Sequence, residues 1–341
     1  MFRYHADPAI AGAARDSLWI VTAISNPERY RSRYELYKDF RHHALAELGA
    51  NLLTVECAHG DRAHQVTGPE AEAPPRGSSV NAVDVQVRNR SHIWLKECLL
   101  NIGVARLPPS AKYIFFCDAD VRFQNPHVLE DVVHALQVHR VVQPFETALD
   151  MGPHGEVLDV HKSFAWCLQQ GMEWVPNVEA YSSKARKSVE YKGIGNVFHP
   201  GFAVCFRREV LEGVRGLPEA GVLGAGDHHC LTAIIGRAGD SVPADIHPNY
   251  RAEVLAWEER AKEHIKGDLG YVRGCIMHSF HGAKHLRYYK SRWQVLTRNG
   301  YDPATDIYKN LQGVLELKDD KPALRDEIRR YFAARKEDSS L

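Results

Sequence analysis

Apolar residues follow two rhythms along this chain. LWIVTAIS, starting at Leu18, is a short β-rich apolar run that stops at the polar pair Asn26–Pro27, and it predicts a buried strand followed by a loop. From Arg31 to Leu48 the spacing becomes helical, with Tyr34, Tyr37, Leu45 and Leu48 recurring and Gly49 placed to cap the end. NLLTVEC returns to strand character, so the first pattern is a βαβ unit. AVDVQV alternates like a strand, and Ser91 is placed as the N-cap of a helix over HIWLKECLLNIG. YIFFC, from Tyr113, is the continuous apolar run of a central strand covered on both faces, and Asn125–Pro126 predict the start of the next helix. Between these elements, residues 58–79 are rich in Gly, Pro and charge without periodicity, which predicts an exposed or mobile loop.

Strand and helix alternate in this way to about residue 145, as in a doubly wound α/β sheet, whose ligands bind in the crevice beyond the carboxyl ends of the strands. The order then loosens around Trp166, Trp174 and the basic stretch SSKARKSVEYK, the expected acceptor region. A strand over GFAVCF, a helix starting near Gly226, a helix over NYRAEVLAWEERAKEHI and a strand over GYVRGCIM follow. Three further helices are expected at the end, over KHLRYYKSRWQVLTR, PATDIYKNLQGVLEL and PALRDEIRRYFAARKE. No internal repeat is present.

Composition narrows the class. With 341 residues, 44% of them hydrophobic, the chain can bury one large α/β core or two modest ones. Lys plus Arg equals Asp plus Glu, 43 against 43, which excludes a global basic field of the kind that draws a whole molecule onto nucleic acid. The seven cysteines are scattered, several within apolar runs, as expected of reduced thiols in a cytoplasmic protein. No stretch approaches the roughly 20 apolar residues that span a bilayer, and no apolar leader is visible, so neither membrane insertion nor secretion is expected.

The chemistry concentrates where YIFFC ends in two aspartates, Asp118 and Asp120, separated by Ala119. An Asp-x-Asp at a strand end sets two hard oxygen donors close together, which suits Mg²⁺ or Mn²⁺ holding substrate phosphates. The plain alternative is one aspartate closing a turn and the other in solvent.

FFCDADVRF, followed by HPGFAVCFRREVL, GLPEAGVLGAGDHHCL and MHSFHGAKHLRYYKSR, resembles the glycosyltransferases of the GT-A fold. With WLKECLLNIG before the aspartates and VVQPF after them, the order is similar to bacteriophage-encoded enzymes, some of which glycosylate hydroxymethylated pyrimidines in DNA. The resemblance covers most of residues 18 to 310 and implies a Rossmann-like α/β fold with a mixed, mostly parallel sheet flanked by helices and a helical C-terminal extension. Residues 1–310 would form the transferase domain, with a nucleotide-sugar half over 18–145 and an acceptor half over 146–283, and residues 284–341 would pack on it as helices. It also implies Mn²⁺ or Mg²⁺, a UDP-sugar donor (most simply UDP-glucose), an acceptor such as DNA containing 5-hydroxymethylpyrimidine, and a place in the host cytoplasm. Protein, glycan and small-molecule acceptors stay open.

On this resemblance Asp118 and Asp120 hold metal and diphosphate, His281 is the third ligand, and Asp227 matches the acidic position that opens a helix. Thr22, Ala23 and the Ser25–Asn26 turn would lie under the nucleotide, with Arg29 or Arg33 near it. Breaking a sugar–phosphate bond builds negative charge on the departing diphosphate, so cations are needed there. By helical spacing Arg287, Tyr288 and Arg292 share a face, with Lys284 a turn earlier; a solvated basic face is the alternative. In an inverting reaction Asp227, at a helix start, would take the acceptor proton, with His228 beside the acceptor. Asp227 as a plain helix cap and Trp94 as core, rather than beside Lys96 and Glu97 in the crevice, are the alternatives.

Three other readings compete. Cys275, His278, His281 and His285 have spacings compatible with a zinc site, His278 otherwise serving the core or supporting a ligand. An apolar strand ending in Asp-x-Asp also occurs in haloacid-dehalogenase-like phosphatases, where the first aspartate is the nucleophile, although there the motif lies near the N-terminus. A binding module without catalysis is the third, supported by the runs SSKARK and KHLRYYKSR.

Overall fold

The computed structural model describes residues 16–174, 176, 196–288 and 291–339. β1 (Leu18–Ser25) leads through α1 (Arg31–His42) and a π-helical turn (His43–Glu47) to β2 (Asn51–His59), and Gly49 supplies the positive φ of 62° that ends the helical stretch. β3 (Ala82–Asn89), α2 (Lys96–Val104) and β4 (Tyr113–Cys117) follow, then β5 (Val121–Phe123), α3 (Val128–Val138) and β6 (Val141–Gln143). β7 (Thr147–Met151), β8 (Val157–Ser163) and α4 (Phe164–Gln169) precede β9 (Asn196–His199), β10 (Ala203–Arg207) and α5 (Arg208–Gly213). The rest comprises α6 (Gly226–Ile234), α7 (Pro248–His264), β11 (Leu269–Tyr271), β12 (Cys275–His278), a 3₁₀ turn (Lys284–Arg287), α8 (Arg292–Arg298), the hairpin β13 (Ile307–Lys309) and β14 (Leu315–Leu317), and α9 (Pro322–Ala334).

Seven strands form the main sheet in the order β11-β6-β10-β4-β1-β2-β3. It is mixed and mostly parallel: β1 pairs in parallel with β2 and β4, and β10 runs antiparallel between β4 and β6. Helices flank it, so the fold is the α/β class the sequence implies. The two-residue period of β1 and β4 divides their side chains between two cores: Val21, Ile114 and Phe116 pack on one face, Ile20, Phe115 and Cys117 on the other. That double burial is why these strands read as unbroken apolar runs. A second sheet, β5-β12-β7-β8-β9, stands at the carboxyl end of β4.

Residues 60–79 form the exposed irregular loop expected, held at one point where the Glu56 carboxylate accepts the backbone N–H groups of Gln65, Val66 and Thr67 and the Thr67 hydroxyl. Several expectations are corrected. The helix expected from Ser91 starts at Lys96, because the Ser91 hydroxyl accepts the Leu317 N–H instead. GYVRGCIM splits into β11 and β12, which belong to different sheets, at Gly274, whose φ is 146°. PATDIYKNLQGVLEL is a hairpin rather than a helix; Asn310 Oδ1 accepts the N–H groups of Gln312 and Val314, and Gly313 takes φ 80°. KHLRYYKSRWQVLTR is likewise not one helix, since the 3₁₀ turn ends at Tyr288 with φ 49° and α8 starts only at Arg292. SSKARKSVEYK falls largely outside the described residues. No helix among those described is long and apolar enough to cross a membrane, and all seven cysteines are free thiols, six of them buried.

Candidate active site

The strand that carries the two aspartates delivers them to a rim between the sheets. Asp118 follows β4 and donates its N–H to the carbonyl of Phe202, just before the antiparallel neighbour β10. The chain turns at Asp118–Asp120 and re-enters the second sheet as β5, so the aspartates mark the switch from one sheet to the other. In that second sheet, β12 pairs with β5 and β7 such that His278 stands opposite Val121 on one side and Asp150 on the other. Asp150 in turn faces Asp159 across β7 and β8. Strand register therefore sets His278, Asp150 and Asp159 in one row, and Asp120, one residue before β5, accepts the Ser279 N–H at the end of β12.

The row is closed by hydrogen bonds. His281 Nε2 lies 3.1 Å and His278 Nε2 3.7 Å from Asp120 Oδ2, and the two imidazole nitrogens are 3.3 Å apart. His278 Nδ1 lies 2.8 Å from Asp150 Oδ1, and His161 Nε2 lies 2.7 Å from Asp150 Oδ2. Lys284 pairs with Asp150 and, at 3.0 Å, with Asp159. Burial opposes a charge on Asp120, but His278 and His281 outweigh it and hold the carboxyl well below the usual range. Burial likewise opposes charge on His278, yet Asp120 and Asp150 outweigh it and raise this imidazole to about 9.

Asp120, His278 and His281 present ligand atoms within 4.8 Å of one another. Asp120 Oδ1 is buried without a hydrogen-bond partner among the described residues, so this oxygen could serve as a cation ligand. One carboxylate and two imidazoles fit Mn²⁺ better than the all-oxygen environment Mg²⁺ prefers. Asp118 does not join this set: its carboxylate pairs with Lys96. Burial disfavours the Lys96 ammonium, but Asp118 and Asp227 outweigh it and lift its pKa above the usual lysine range. Cys275 and His285 also stand outside the cluster, so the four-ligand zinc arrangement is not formed.

A cleft of about 1410 Å³ opens over this rim. Ala23, Asn26, Lys96, Asp118, Ala119 and Asp120 line one side of it, and Asp227, His228, His281, Arg287 and Arg292 also face it. Arg287 reaches His281 Nε2 at 3.1 Å, while Arg292 bonds the Leu223 carbonyl and lies over Trp293. Three expected residues do not line the cleft. Thr22 is fully buried, its hydroxyl donating to the Cys117 carbonyl; Arg29 is exposed; Tyr288 points outward with 38% of its surface exposed.

Asp227 opens α6, where its Oδ2 presses on Gly201 so closely that a Cβ there would lie 2.6 Å away. Beneath it, Glu97 is buried, bonded by the Trp94 indole and packed on Gly226. Burial, reinforced by Asp227 and opposed by Lys96, pushes Glu97 up to about 7. His228 lines the cleft, brought down to about 4 by burial, whereas His229 bonds Ser241 and Tyr250 inside the core.

Asp150, Asp159, His161 and His199, which line the cleft, were not anticipated from the sequence, and His278 was a ligand only in the four-residue zinc alternative. Nor was Glu337, which pairs with Arg33 and Arg335 and lies 3.6 Å from His281 Nδ1. The spacing HSFH was a usable signal for His278; nothing local marks Asp150 or Glu337.

No known protein family and no curated protein matches the sequence. Among solved structures the chain is similar to glucosyl-3-phosphoglycerate synthase from Mycobacterium tuberculosis with Mn²⁺, UDP-glucose and phosphoglyceric acid, at 10% identity over 93% of this chain and 92% of that one, with a TM-score of 0.40. It is also similar to the catalytic domain of Drosophila β1,4-galactosyltransferase 7 with xylobiose, at 12% identity over 90% and 98% of the two chains, with a TM-score of 0.38. At such values the likeness carries no functional weight.

Proposed function

We propose that this chain is a metal-dependent glycosyltransferase that moves a sugar from a UDP-sugar, most simply UDP-glucose, to a hydroxyl acceptor. The observation that carries the reading is the unpartnered Asp120 oxygen beside His281 at the carboxyl end of the central strand, inside a cleft large enough for a nucleotide-sugar and an acceptor. Asp120 and His281 would hold Mn²⁺, which when bound supplies positive charge to the diphosphate. Ala23, Asn26 and Ala119 form the wall for the nucleotide, and Lys96, paired with Asp118, stands where it meets the donor. Arg287 and Arg292 supply further positive charge to the leaving diphosphate.

Asp227 faces the same cleft from the start of α6, and in an inverting reaction it takes the acceptor proton. His228 lies beside it on the acceptor side. Residues 18–145 then form the donor half and 146–283 the acceptor half, with 284–339 completing the cleft through Arg287, Arg292 and Glu337. The free thiols agree with a cytoplasmic setting.

DNA carrying 5-hydroxymethylpyrimidine is one acceptor to test, although the second basic run is committed inward: Lys284 sits on Asp150 and Asp159, and Arg287 on His281. The test is incubation with a panel of UDP-sugars, with Mn²⁺ or EDTA, with and without that DNA and with glycan and small-molecule acceptors, reading UDP and inorganic phosphate separately. Mn²⁺-dependent UDP release is expected. Inorganic phosphate from phosphomonoesters, without sugar transfer, would replace this reading by the phosphatase one.

A further inference from the structure

Asp150 lies outside every role assigned above, yet it is 4% exposed and both of its oxygens are engaged. A carboxylate only accepts, so His278 must carry its proton on Nδ1, which leaves Nε2 as the atom turned toward Asp120 Oδ2 and His281 Nε2. The strand pairing that sets His278 opposite Asp150 fixes this contact through the backbone. Asp150 is held in turn from behind, by His161 from β8 and by Lys284 from the 3₁₀ turn, the same turn that brings Arg287 to His281.

Resting on the glycosyltransferase reading, we propose that the metal centre has two imidazole ligands, His278 and His281, with Asp120, and that Asp150 is the positioning carboxylate that fixes the His278 tautomer and ring. His161 and Lys284 anchor Asp150, so the turn carrying Lys284 is tied to the metal centre. Carboxylates that orient a metal-bound imidazole contribute about 10- to 100-fold in metal affinity. Two nitrogen ligands also favour Mn²⁺ over Mg²⁺.

The test is Mn²⁺ binding to the full chain, read by electron paramagnetic resonance of free and bound ion, with electron spin-echo modulation counting the imidazole nitrogens on the bound ion. Wild type is expected to show two ¹⁴N couplings, and His278→Gln one. Asp150→Ala should weaken Mn²⁺ about 10- to 100-fold while Asp150→Asn, which still accepts a hydrogen bond, recovers part of the loss. Lys284→Met, at a position with 45% side-chain exposure, gives a variant less exposed to folding failure and should weaken Mn²⁺ in the same direction. A single ¹⁴N coupling in wild type, or unchanged affinity in Asp150→Ala and Lys284→Met, would overturn the proposal and leave the glycosyltransferase reading standing. Absence of any Mn²⁺ binding by wild type would overturn both.

Discussion

At the scale of single residues, the cleft is built from charges that control one another. Glu97 is the clearest case, because its carboxyl is buried under Asp227 and raised from 4.5 to about 7 by that burial first and by Asp227 second, against the pull of Lys96. Between pH 4.5 and 7 the unfolded chain has released this proton while the folded chain keeps it. The folded state therefore binds more protons, and this contribution to stability falls as pH rises through the window; below it the penalty is absent. Glu97→Gln keeps an acceptor for the Trp94 indole and removes the titration. Urea denaturation across this range should show a flatter pH dependence for the variant, and parallel curves would contradict the assignment. In the sequence, Asp118, Asp120, Asp227 and His281 stand out because they lie in short, ordered motifs, and all four line the cleft, although Asp118 pairs with Lys96 instead of joining Asp120 and His281. Asp150 and Glu337 do not stand out, since their contacts exist only through strand register and through the return of a segment 304 residues away from its partner Arg33.

At the scale of elements, propensity and period were reliable wherever burial was symmetric. β1, β2 and β4 lie within the main sheet with covered faces, and their apolar runs announce them. Failure came where a turn outweighs the helical pattern: Asn310 and Gly313 make the hairpin of β13 and β14, and Tyr288 in a left-handed conformation interrupts the run after His285. Packing of α2 gives a direct check. Gly103 sits so close to the main sheet that a Cβ would lie 2.7 Å from Val21 Cγ1 and 3.0 Å from Leu53 Cδ2. Overpacking of this kind costs about 1–3 kcal/mol, against at most about 1 kcal/mol gained by replacing glycine in a helix. Gly103→Ala should thus lower the urea midpoint without changing the slope, and a raised midpoint would show that the helix can move away from the sheet.

At the scale of the whole molecule, two sheets meet at Asp118–Asp120, and the last segment returns over them to complete the cleft. Tyr30 donates to the Phe332 carbonyl, and Asp338 accepts the N–H groups of Arg31 and Ser32, so the start of α1 and the end of the described chain are joined beside His281. Zero net charge leaves the interior of this cleft, rather than a surface field, to recognise substrates. On the proposed function, Asp120 holds a cation needed to break a sugar–phosphate bond. The measurement that tests it most directly is Mn²⁺-dependent UDP release from the preferred UDP-sugar by wild type and by Asp120→Asn, with folding checked by circular dichroism. In wild type EDTA should abolish the release, and a folded Asp120→Asn should lose at least about 100-fold, the scale on which an electrostatic stabiliser acts. Release that survives both EDTA and the substitution would contradict that function.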